Sequence, residues 1–301
     1  MSPPSPKRAL VTGGSAGIGK ETVKALVAQG YEVIVAARDA VKGEAVLQAI
    51  RAEHPGARVS FHSLDMSQPD AVVAFAQQVQ ARWDRIDALV LNAGLFTPEL
   101  RTGATGHEFM FATTHLGHFV LTHQLLPLVE AAPAGRIVVT SSVAHFFGGG
   151  FDFDSLRAPS ESTFLMVAPF MAYGRSKLAN LLFVRELARR LQGSKVLVNS
   201  FHPGSVKTEI WRGTPSLFNA LIGPTLISER EGAQTQIFLA TDPSLGQSGQ
   251  HWFRKKIEHG SPASRNPELA QRLWDYSEQA LGIRRFGRPQ GVVELVRARR
   301  A

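Results

Sequence analysis

The stretch Thr12-Gly13-Gly14-Ser15-Ala16-Gly17-Ile18-Gly19 directly follows the first apolar segment, Ala9–Thr12, and opens a helical pattern. In a turn of this kind, Gly13 makes the tight bend, Gly17 lets the backbone approach a diphosphate, and Gly19 lets helix and strand pack closely. The first turn of the helix also presents free N–H groups and the positive end of the helix dipole. A glycine-rich turn alone is a weak signal, but its position between a strand and a helix predicts a nucleotide-phosphate site.

Apolar runs typical of strands alternate with helical patterns as far as Phe201. Continuous apolar strands linked by helices indicate a parallel sheet covered on both faces. Because such crossovers are right-handed, we predict an α/β fold with a doubly wound (Rossmann) parallel sheet. The predicted strands are Ala9–Thr12, Glu32–Ala37, Arg58–Leu64, Ala88–Leu91, Arg136–Thr140 and Lys195–Phe201, and the predicted helices are Gly19–Gln29, Val41–Ala52, Ala71–Trp83, Glu108–Val129 and Met171–Leu191.

One domain is expected over residues 1–283, because no stretch resembles a linker between domains. Two segments interrupt the alternation: residues 144–169, rich in Gly and Phe, and residues 209–228, apolar with scattered Gly and Pro. Both follow strand ends at the edge of the sheet where such folds bind ligands, so we predict that they form substrate loops.

The formal charge of +8 is concentrated in residues 284–301, which contain six arginines and one acid, Glu294. A short basic tail after a folded domain is usually a solvated end, and binding of an acidic partner or an anionic surface is the alternative. The rest of the chain carries too little excess positive charge for a nucleic-acid groove, so no nucleic-acid partner is predicted.

The composition excludes several kinds of site. The 301 residues contain no cysteine, which rules out disulfides, thiolate zinc sites and cysteine nucleophiles, and no metal site is predicted. The longest apolar stretch, Leu217–Ile227, is too short and too interrupted to span a bilayer, and no hydrophobic leader precedes the first strand. We expect a cytoplasmic protein without a transmembrane segment.

The end of the second predicted strand bears on the choice of nucleotide. Sites for NAD usually carry an acid here that holds the ribose 2′-hydroxyl, whereas a 2′-phosphate is held by arginine. The strand here ends in Ala37-Arg38-Asp39, and the guanidinium of Arg38 suits a phosphate. This pattern favours NADPH, with Ser15 and Lys42 as further phosphate contacts. A solvated arginine, or Asp39 acting as the acid of an NAD site, are the alternatives.

A tyrosine and a lysine lie four residues apart in Tyr173-Gly174-Arg175-Ser176-Lys177, so on a helix they share one face. A phenol with a pKa near 10 is a poor base, and an adjacent ammonium is expected to favour the phenolate. The pair can therefore give or take a proton while a cofactor carries the hydride. Alone, this spacing occurs by chance in many helices.

Further motifs follow the strands in the order of a known family. They are Leu64-Asp65-Met66-Ser67, Asn92-Ala93-Gly94, Ser141-Ser142 and His202-Pro203-Gly204, after the third, fourth, fifth and sixth strands. Three residues separate Gly13 from Gly17, and this spacing together with the other motifs resembles the single-domain form of the short-chain dehydrogenase/reductase family. The resemblance covers Thr12–Thr208.

The resemblance implies an oxidoreductase that moves a hydride between a nicotinamide cofactor and its substrate. It assigns catalysis to Ser142, Tyr173 and Lys177. Thr114 joins them because it stands where the family has an asparagine that helps hold a water in the proton relay. The implied contacts with NADPH or NADP+ are Gly13, Ser15, Gly17, Ile18, Gly19, Arg38, Asp65, Met66, Asn92, Ala93, Gly94, Tyr173, Lys177, Pro203, Gly204, Val206 and Thr208.

The nearer resemblance is to the retinol-dehydrogenase-like branch of the family. It rests on Arg38-Asp39, His115-Leu116-Gly117-His118-Phe119-Val120-Leu121-Thr122, Ser142-Val143-Ala144-His145, Ser176-Lys177-Leu178-Ala179-Asn180 and His202-Pro203-Gly204. Members of that branch mostly use NADP(H) and reduce or oxidise retinoids, steroids and other lipophilic carbonyls or alcohols. Family members are often dimers or tetramers, so a homodimer or homotetramer is compatible with the resemblance.

We therefore expect an NADPH-dependent reductase of a bulky, apolar carbonyl compound that is retinoid-, steroid- or polyketide-like, as in secondary metabolism. Ser141 is the second choice for the serine, and His145 is expected to be a pocket-wall or surface residue. The long insert between Ser142 and Tyr173 predicts either an apolar wall or a small core of its own. A non-redox cyclase or isomerase that uses NADPH structurally, and a non-catalytic NADPH-binding protein, are the alternatives.

Overall fold

A single sheet organises the part of the chain that the computed structural model describes, which is residues 5–149, 151–157, 167–206 and 226–288. Its strands are β1 (Arg8–Thr12), β2 (Glu32–Ala37), β3 (Val59–Ser63), β4 (Ala88–Leu91), β5 (Arg136–Thr140), β6 (Leu197–Phe201), β7 (His251–Phe253) and β8 (Lys256–Glu258). The order across the sheet is β3-β2-β1-β4-β5-β6-β7-β8. Neighbouring strands are parallel as far as β7, and β8 returns antiparallel to it.

Helices connect most of the parallel strands. They are α1 (Gly17–Ala28), α2 (Ala40–Glu53), α3 (Pro69–Arg82), α4 (Phe109–Phe111), α5 (Gly117–Glu130), α6 (Val167–Arg190), α7 (Glu229–Thr241) and α8 (Pro267–Leu281). Short 3₁₀ helices occur at Val143–Phe147, Asp154–Leu156 and Ala263–Arg265.

Alternate side chains of the strands enter two hydrophobic cores, one on each face of the sheet. Leu10 and Ile34 belong to the core beneath α3, α5, α6 and α8. Val11 and Val35 belong to the core beneath α1, α2 and α7. All side chains of β4 and β5 are buried, as expected for central strands covered on both faces. The predicted doubly wound α/β fold is confirmed.

The long predicted helix Glu108–Val129 is divided in the structure. Glu108 accepts hydrogen bonds from the backbone N–H groups of Met110 and Phe111, both at 2.8 Å, and so caps α4. A π-helical turn at Ala112–Leu116 then separates α4 from α5. Such turns are rare inside helices and are frequent at functional sites.

The predicted loop and tail segments are only partly described. Residues 207–225, which include most of the predicted segment 209–228, lie outside the described residues, as do 158–166 and 289–301. At the start of the predicted tail, Phe286 packs against Phe119 with a centroid distance of 4.7 Å, and Gly287 N–H donates to Nδ1 of His123. Phe286 and Gly287 therefore lie against the domain. Within the described ranges, no helix is long and apolar enough to cross a membrane.

Candidate active site

A cleft of about 450 Å³ lies beyond the carboxyl ends of β1 and β4, where the strand order reverses. Doubly wound sheets bind their ligands at this point. Asp65 and Thr114 do not line the cleft, and Thr208 lies outside the described residues. The other predicted site residues all line it: Gly13, Ser15, Gly17, Ile18, Gly19, Arg38, Met66, Asn92, Ala93, Gly94, Ser142, Tyr173, Lys177, Pro203, Gly204 and Val206.

The glycine-rich loop forms one end of the cleft. Gly13 has a φ of +66°, which suits glycine. A Cβ on Gly19 would lie 2.4 Å from the carbonyl oxygen of Gly13, so only glycine lets α1 approach β1 this closely. Helix α1 begins at Gly17 without a side-chain cap and without an acid in its first turn. Its free N–H groups and positive dipole end therefore fit a phosphate.

Arg38 and Asp39, the two residues after β2, have different surroundings. Asp39 accepts a hydrogen bond from Lys42 N–H at 3.0 Å and is the N-cap of α2. Arg38 lines the cleft beside Ala37. Asp39 lines the cleft as well, but its carboxylate already has a structural partner.

Asp65, which the resemblance places at the cofactor, is not among the residues that line the cleft, and its carboxylate has a local partner. Its Oδ1 accepts hydrogen bonds from the backbone N–H and the hydroxyl of Ser67, at 2.9 and 2.7 Å. The carboxylate therefore closes the turn before α3. Met66, its neighbour, lines the cleft.

A buried polar network supports the loop from below. Asn92 Nδ2 donates to the carbonyl oxygens of Thr12 and Gly13, at 3.0 and 3.3 Å. Gln236, on α7, donates through Nε2 to Asn92 Oδ1 at 3.3 Å and to Thr140 Oγ1 at 3.0 Å. Its Oε1 accepts from Thr22 on α1 at 2.6 Å. Gln236 therefore links α1, β5 and the turn after β4, and no local sequence motif identifies it.

Tyr173 and Lys177 share one face of α6, and the Lys177 Nζ lies 5.5 Å from the centroid of the Tyr173 ring. Burial raises the pKa of Tyr173 to about 12, against which a hydrogen bond with the Ser142 side chain acts only in part. Burial also lowers the pKa of Lys177 to about 8. The sequence predicted that the ammonium of Lys177 would favour the phenolate, whereas burial of the ring raises the pKa of Tyr173 instead. At neutral pH, Tyr173 is therefore a protonated phenol able to donate.

The two serines after β5 differ in their partners. Ser141 Oγ donates to the backbone oxygen of Lys177 at 2.9 Å and so fixes α6 to the strand end. Ser142 caps the following 3₁₀ helix, accepting from Ala144 N–H at 3.2 Å, and is the serine bonded to Tyr173. The geometry agrees with the choice of Ser142 over Ser141.

Thr114 lies in the π-helical turn, fully buried, and its hydroxyl has no hydrogen-bond partner. The hydroxyl of Thr113, which lines the cleft, is also without one. A Cβ built on Gly94 would lie 2.9 Å from Lys177 Nζ and 3.6 Å from Thr114 Oγ1. Thr114 is therefore near Lys177 behind Gly94, although it is not part of the cleft wall.

His145 has both ring nitrogens engaged. Nδ1 lies 2.7 Å from the backbone oxygen of Ser142, and Nε2 accepts from Ser261 N–H at 3.0 Å. The first contact requires the proton on Nδ1. His145 thus supports the backbone of Ser142.

Aromatic side chains lie beside the reacting end of the cleft. Phe96 meets the Tyr173 ring edge-on at 5.8 Å and packs against Phe170 at 5.0 Å. Leu95 and Phe96 line the cleft, whereas Phe147 is 65 % exposed. The sequence did not single out Leu95 and Phe96, although they directly follow the Asn-Ala-Gly turn.

Comparison with known proteins identifies the family. The model of the short chain dehydrogenase family matches residues 7–151. Human retinol dehydrogenase 12 is 38% identical over 281 residues, which cover 92% of this chain and 87% of that protein. Human retinol dehydrogenase 14 is 36% identical with the same coverage of both chains.

Solved structures agree with the sequence relatives. An uncharacterized protein from Mycobacterium Paratuberculosis superposes with a TM-score of 0.73 at 30% identity, covering 91% of this chain and 92% of that one. The active-site complex of Pseudomonas aeruginosa RhlG with NADP has a TM-score of 0.65 at 26% identity, with coverages of 81% and 93%. The chain belongs to the short-chain dehydrogenase/reductase family of oxidoreductases, and within it to the retinol-dehydrogenase-like branch.

Proposed function

We propose that this oxidoreductase uses NADPH to interconvert a carbonyl and an alcohol on a bulky apolar substrate, with reduction favoured. The substrate class is retinoid-, steroid- or polyketide-like. One observation carries the proposal: a buried, protonated phenol bonded to Ser142 faces the same cleft as an uncapped helix N-terminus and Arg38.

The residues present fit a phosphorylated dinucleotide. The N–H groups at the start of α1 suit its diphosphate, and Arg38 suits a 2′-phosphate. Asp39, the alternative acid for an NAD site, is already used as a helix cap. When bound, the cofactor supplies the hydride. The solved NADP complex of a relative supports the same choice.

The proton comes from the chain itself. Ser142 Oγ and Tyr173 Oη hold the substrate's carbonyl oxygen, and as the carbonyl carbon accepts the hydride, Tyr173 gives its proton to that oxygen. Lys177, protonated below its pKa of about 8, stabilises the phenolate that forms, and a proton from solvent restores the phenol. The product is the alcohol.

The side of the cleft next to Tyr173 is apolar. Leu95, Phe96 and Phe170 offer aliphatic and aromatic surface and no charge. Such a wall favours a lipophilic substrate and excludes water from the reacting atoms. The names of the sequence relatives, which are retinol dehydrogenases, support a long apolar alcohol or aldehyde.

Replacing the phenol tests the proposal. We expect Tyr173→Phe to lower kcat for NADPH-dependent reduction of lipophilic carbonyls by about 10²- to 10⁴-fold, while NADPH binding, followed by fluorescence titration, is retained. Tyr276→Phe is the matched control, because the Tyr276 hydroxyl contacts Arg157 at 3.4 Å and Tyr276 is not among the residues that line the cleft. Full activity in Tyr173→Phe overturns the proposal, and substrate conversion without net NADPH consumption favours a cyclase or isomerase.

A further inference from the structure

Two histidines and a glutamate meet at the ends of the last three strands of the sheet. His202 directly follows β6, His251 begins β7, and Glu258 ends β8. Their candidate ligand atoms all lie within 4.8 Å of one another, a grouping that the described residues show here alone. His202 Nε2 is 2.8 Å and His251 Nε2 is 3.8 Å from Glu258 Oε2. His202 is far in sequence from His251 and Glu258, so the three do not form a recognisable metal-binding motif in the sequence.

His251 is oriented as metal-binding histidines are. Its Nδ1 lies 2.9 Å from Ser200 Oγ, and its Nε2 is buried without a hydrogen-bond partner. When Nδ1–H donates to Ser200, Nε2 keeps a free lone pair directed toward Glu258. A histidine whose second nitrogen is fixed by an outer hydrogen bond is the usual arrangement at metal sites. The Glu258 carboxylate does not satisfy this nitrogen, because a separation of 3.8 Å is too long for a hydrogen bond.

His202 carries a proton that a metal ion can replace. Gly204 N–H donates to its Nδ1 at 3.3 Å, so Nε2–H donates to Glu258 in the absence of a metal. Binding through Nε2 moves the remaining proton to Nδ1 and gives up the long contact with Gly204. His145 cannot serve as a further ligand, since both of its nitrogens are engaged.

We propose that His202, His251 and Glu258 bind a divalent transition-metal ion of the zinc type, with water as the fourth ligand. Tetrahedral zinc with bonds of about 2.0–2.2 Å places its ligand atoms roughly 3.3 Å apart, and the two observed separations from Glu258 lie on either side of that value. The Glu258 side chain is 40% exposed, which opens the site to solvent. Two imidazoles and a carboxylate suit zinc, cobalt or iron(II) better than calcium or magnesium.

The ion would cross-link β6, β7 and β8 at one corner of the sheet. The β7–β8 hairpin turns through Arg254 and Lys255, both with positive φ, of 46° and 60°, where glycine or asparagine is usual. A metal that ties Glu258 to His202 stabilises this hairpin and the adjoining Pro203–Gly204 turn of the cleft. The role is structural and independent of hydride transfer.

Titration of the untagged full-length chain with Zn²⁺ and Co²⁺ tests the site. We expect one Zn²⁺ bound per chain by calorimetry, a Tm raised by a few degrees, and a visible Co²⁺ spectrum of tetrahedral type. Glu258→Gln keeps an acceptor for His202 but loses the anionic ligand, so Zn²⁺ affinity should fall by more than about 100-fold, beyond the effect of outer-shell changes. Binding of Mg²⁺ is expected to be undetectable.

The neighbouring exposed histidine provides the matched control. His259→Gln should bind Zn²⁺ like the parent chain, because His259 lies beside Glu258 but outside the cluster. His251→Gln should lose the Co²⁺ spectrum, and its own unfolding curve shows whether it folds. No stoichiometric binding, or equal affinity in the parent chain and Glu258→Gln, overturns the proposal.

Discussion

Arg38 and Asp39 are adjacent residues of opposite charge, and they predict opposite cofactor preferences. Both residues line the cleft, but the Asp39 carboxylate also caps α2, so the preference should depend on the arginine. We expect Arg38→Gln to lower kcat/KM for NADPH by about 10- to 150-fold through loss of charged hydrogen bonds, with little change for NADH. Steady-state kinetics with both cofactors measures this.

Asp39→Asn is the matched variant for that experiment. Asparagine caps a helix as well as aspartate does, so stability and the NADPH/NADH ratio should both be retained. A ratio that shifts strongly toward NADPH in Asp39→Asn, with no effect of Arg38→Gln, would show that the acid governs the choice.

Thr114 is a buried hydroxyl without a partner, and such a group destabilises a fold by about 1–3 kcal/mol. Thr114→Val keeps the shape and removes the unpaired group, so the free energy of unfolding should stay equal or rise by about 1 kcal/mol. If the hydroxyl instead holds a water of the relay to Lys177, kcat falls while the Kd for NADPH is unchanged. Urea unfolding together with kinetics separates these effects: unchanged kcat would remove Thr114 from the catalytic group.

For individual residues, the sequence predicted correctly those positions that depend on local backbone geometry. The four-residue spacing places Tyr173 beside Lys177, and the glycine turn must bend at Gly13. The pKa direction of Tyr173 was wrong, because burial depends on tertiary packing that spacing does not reveal. Asp65 was assigned from resemblance alone, and its bond to Ser67 is visible only in the structure.

Among the secondary-structure elements, helix α7 connects several that are distant in sequence. It follows the undescribed segment 207–225, and through Gln236 it reaches α1, β5 and the turn after β4. Gln236→Leu leaves three buried polar groups with fewer partners, so we expect a loss of about 1–3 kcal/mol in unfolding free energy. Since Asn92 supports the carbonyl oxygens of the glycine loop, KM for NADPH should rise more than kcat falls.

Gln234→Leu tests whether that effect depends on position, since Gln234 is an exposed glutamine on the same helix. A surface substitution of this kind usually changes stability by less than about 0.5 kcal/mol. Equal losses in the two variants would mean that leucine disturbs α7 itself and that the buried network has no special role.

The sequence predicted elements well where apolar strands and helices alternate regularly along the chain. Strands Glu32–Ala37 and Ala88–Leu91 have the bounds that alternation with helices predicted. The sequence did not predict the π-helical turn within Glu108–Val129, because the apolar pattern of the turn continues that of the flanking helices. β7 and β8 were also missed, since three residues are too few to show a period of two.

The whole molecule contains several histidines that its core keeps neutral. Burial lowers the pKa of His115 and His118 to about 3 and that of His123 to about 4, from an ordinary value near 6.5. The unfolded chain therefore binds more protons than the folded chain as the pH falls below about 6.5. Stability must decrease in that direction, and it is fully retained above that pH.

Burial lowers the pKa of His251 still further, to about 2. Each such histidine contributes up to about 1.4 kcal/mol per pH unit, so the four together give a slope of about 5 kcal/mol per unit toward pH 5. Carboxylates with lowered pKa values, such as Glu186, act only below about pH 4.5. Burial raises the pKa of Glu108 and Glu278, which therefore oppose the histidine slope, so the histidines dominate the window from pH 6.5 to 5 by number.

Urea unfolding across this window measures the slope. His123→Asn, which keeps an acceptor for Gly287 N–H, should reduce the slope by up to about 1.4 kcal/mol per pH unit. Stability that stays constant from pH 7 to 5 would mean that these imidazoles take up protons in the folded state.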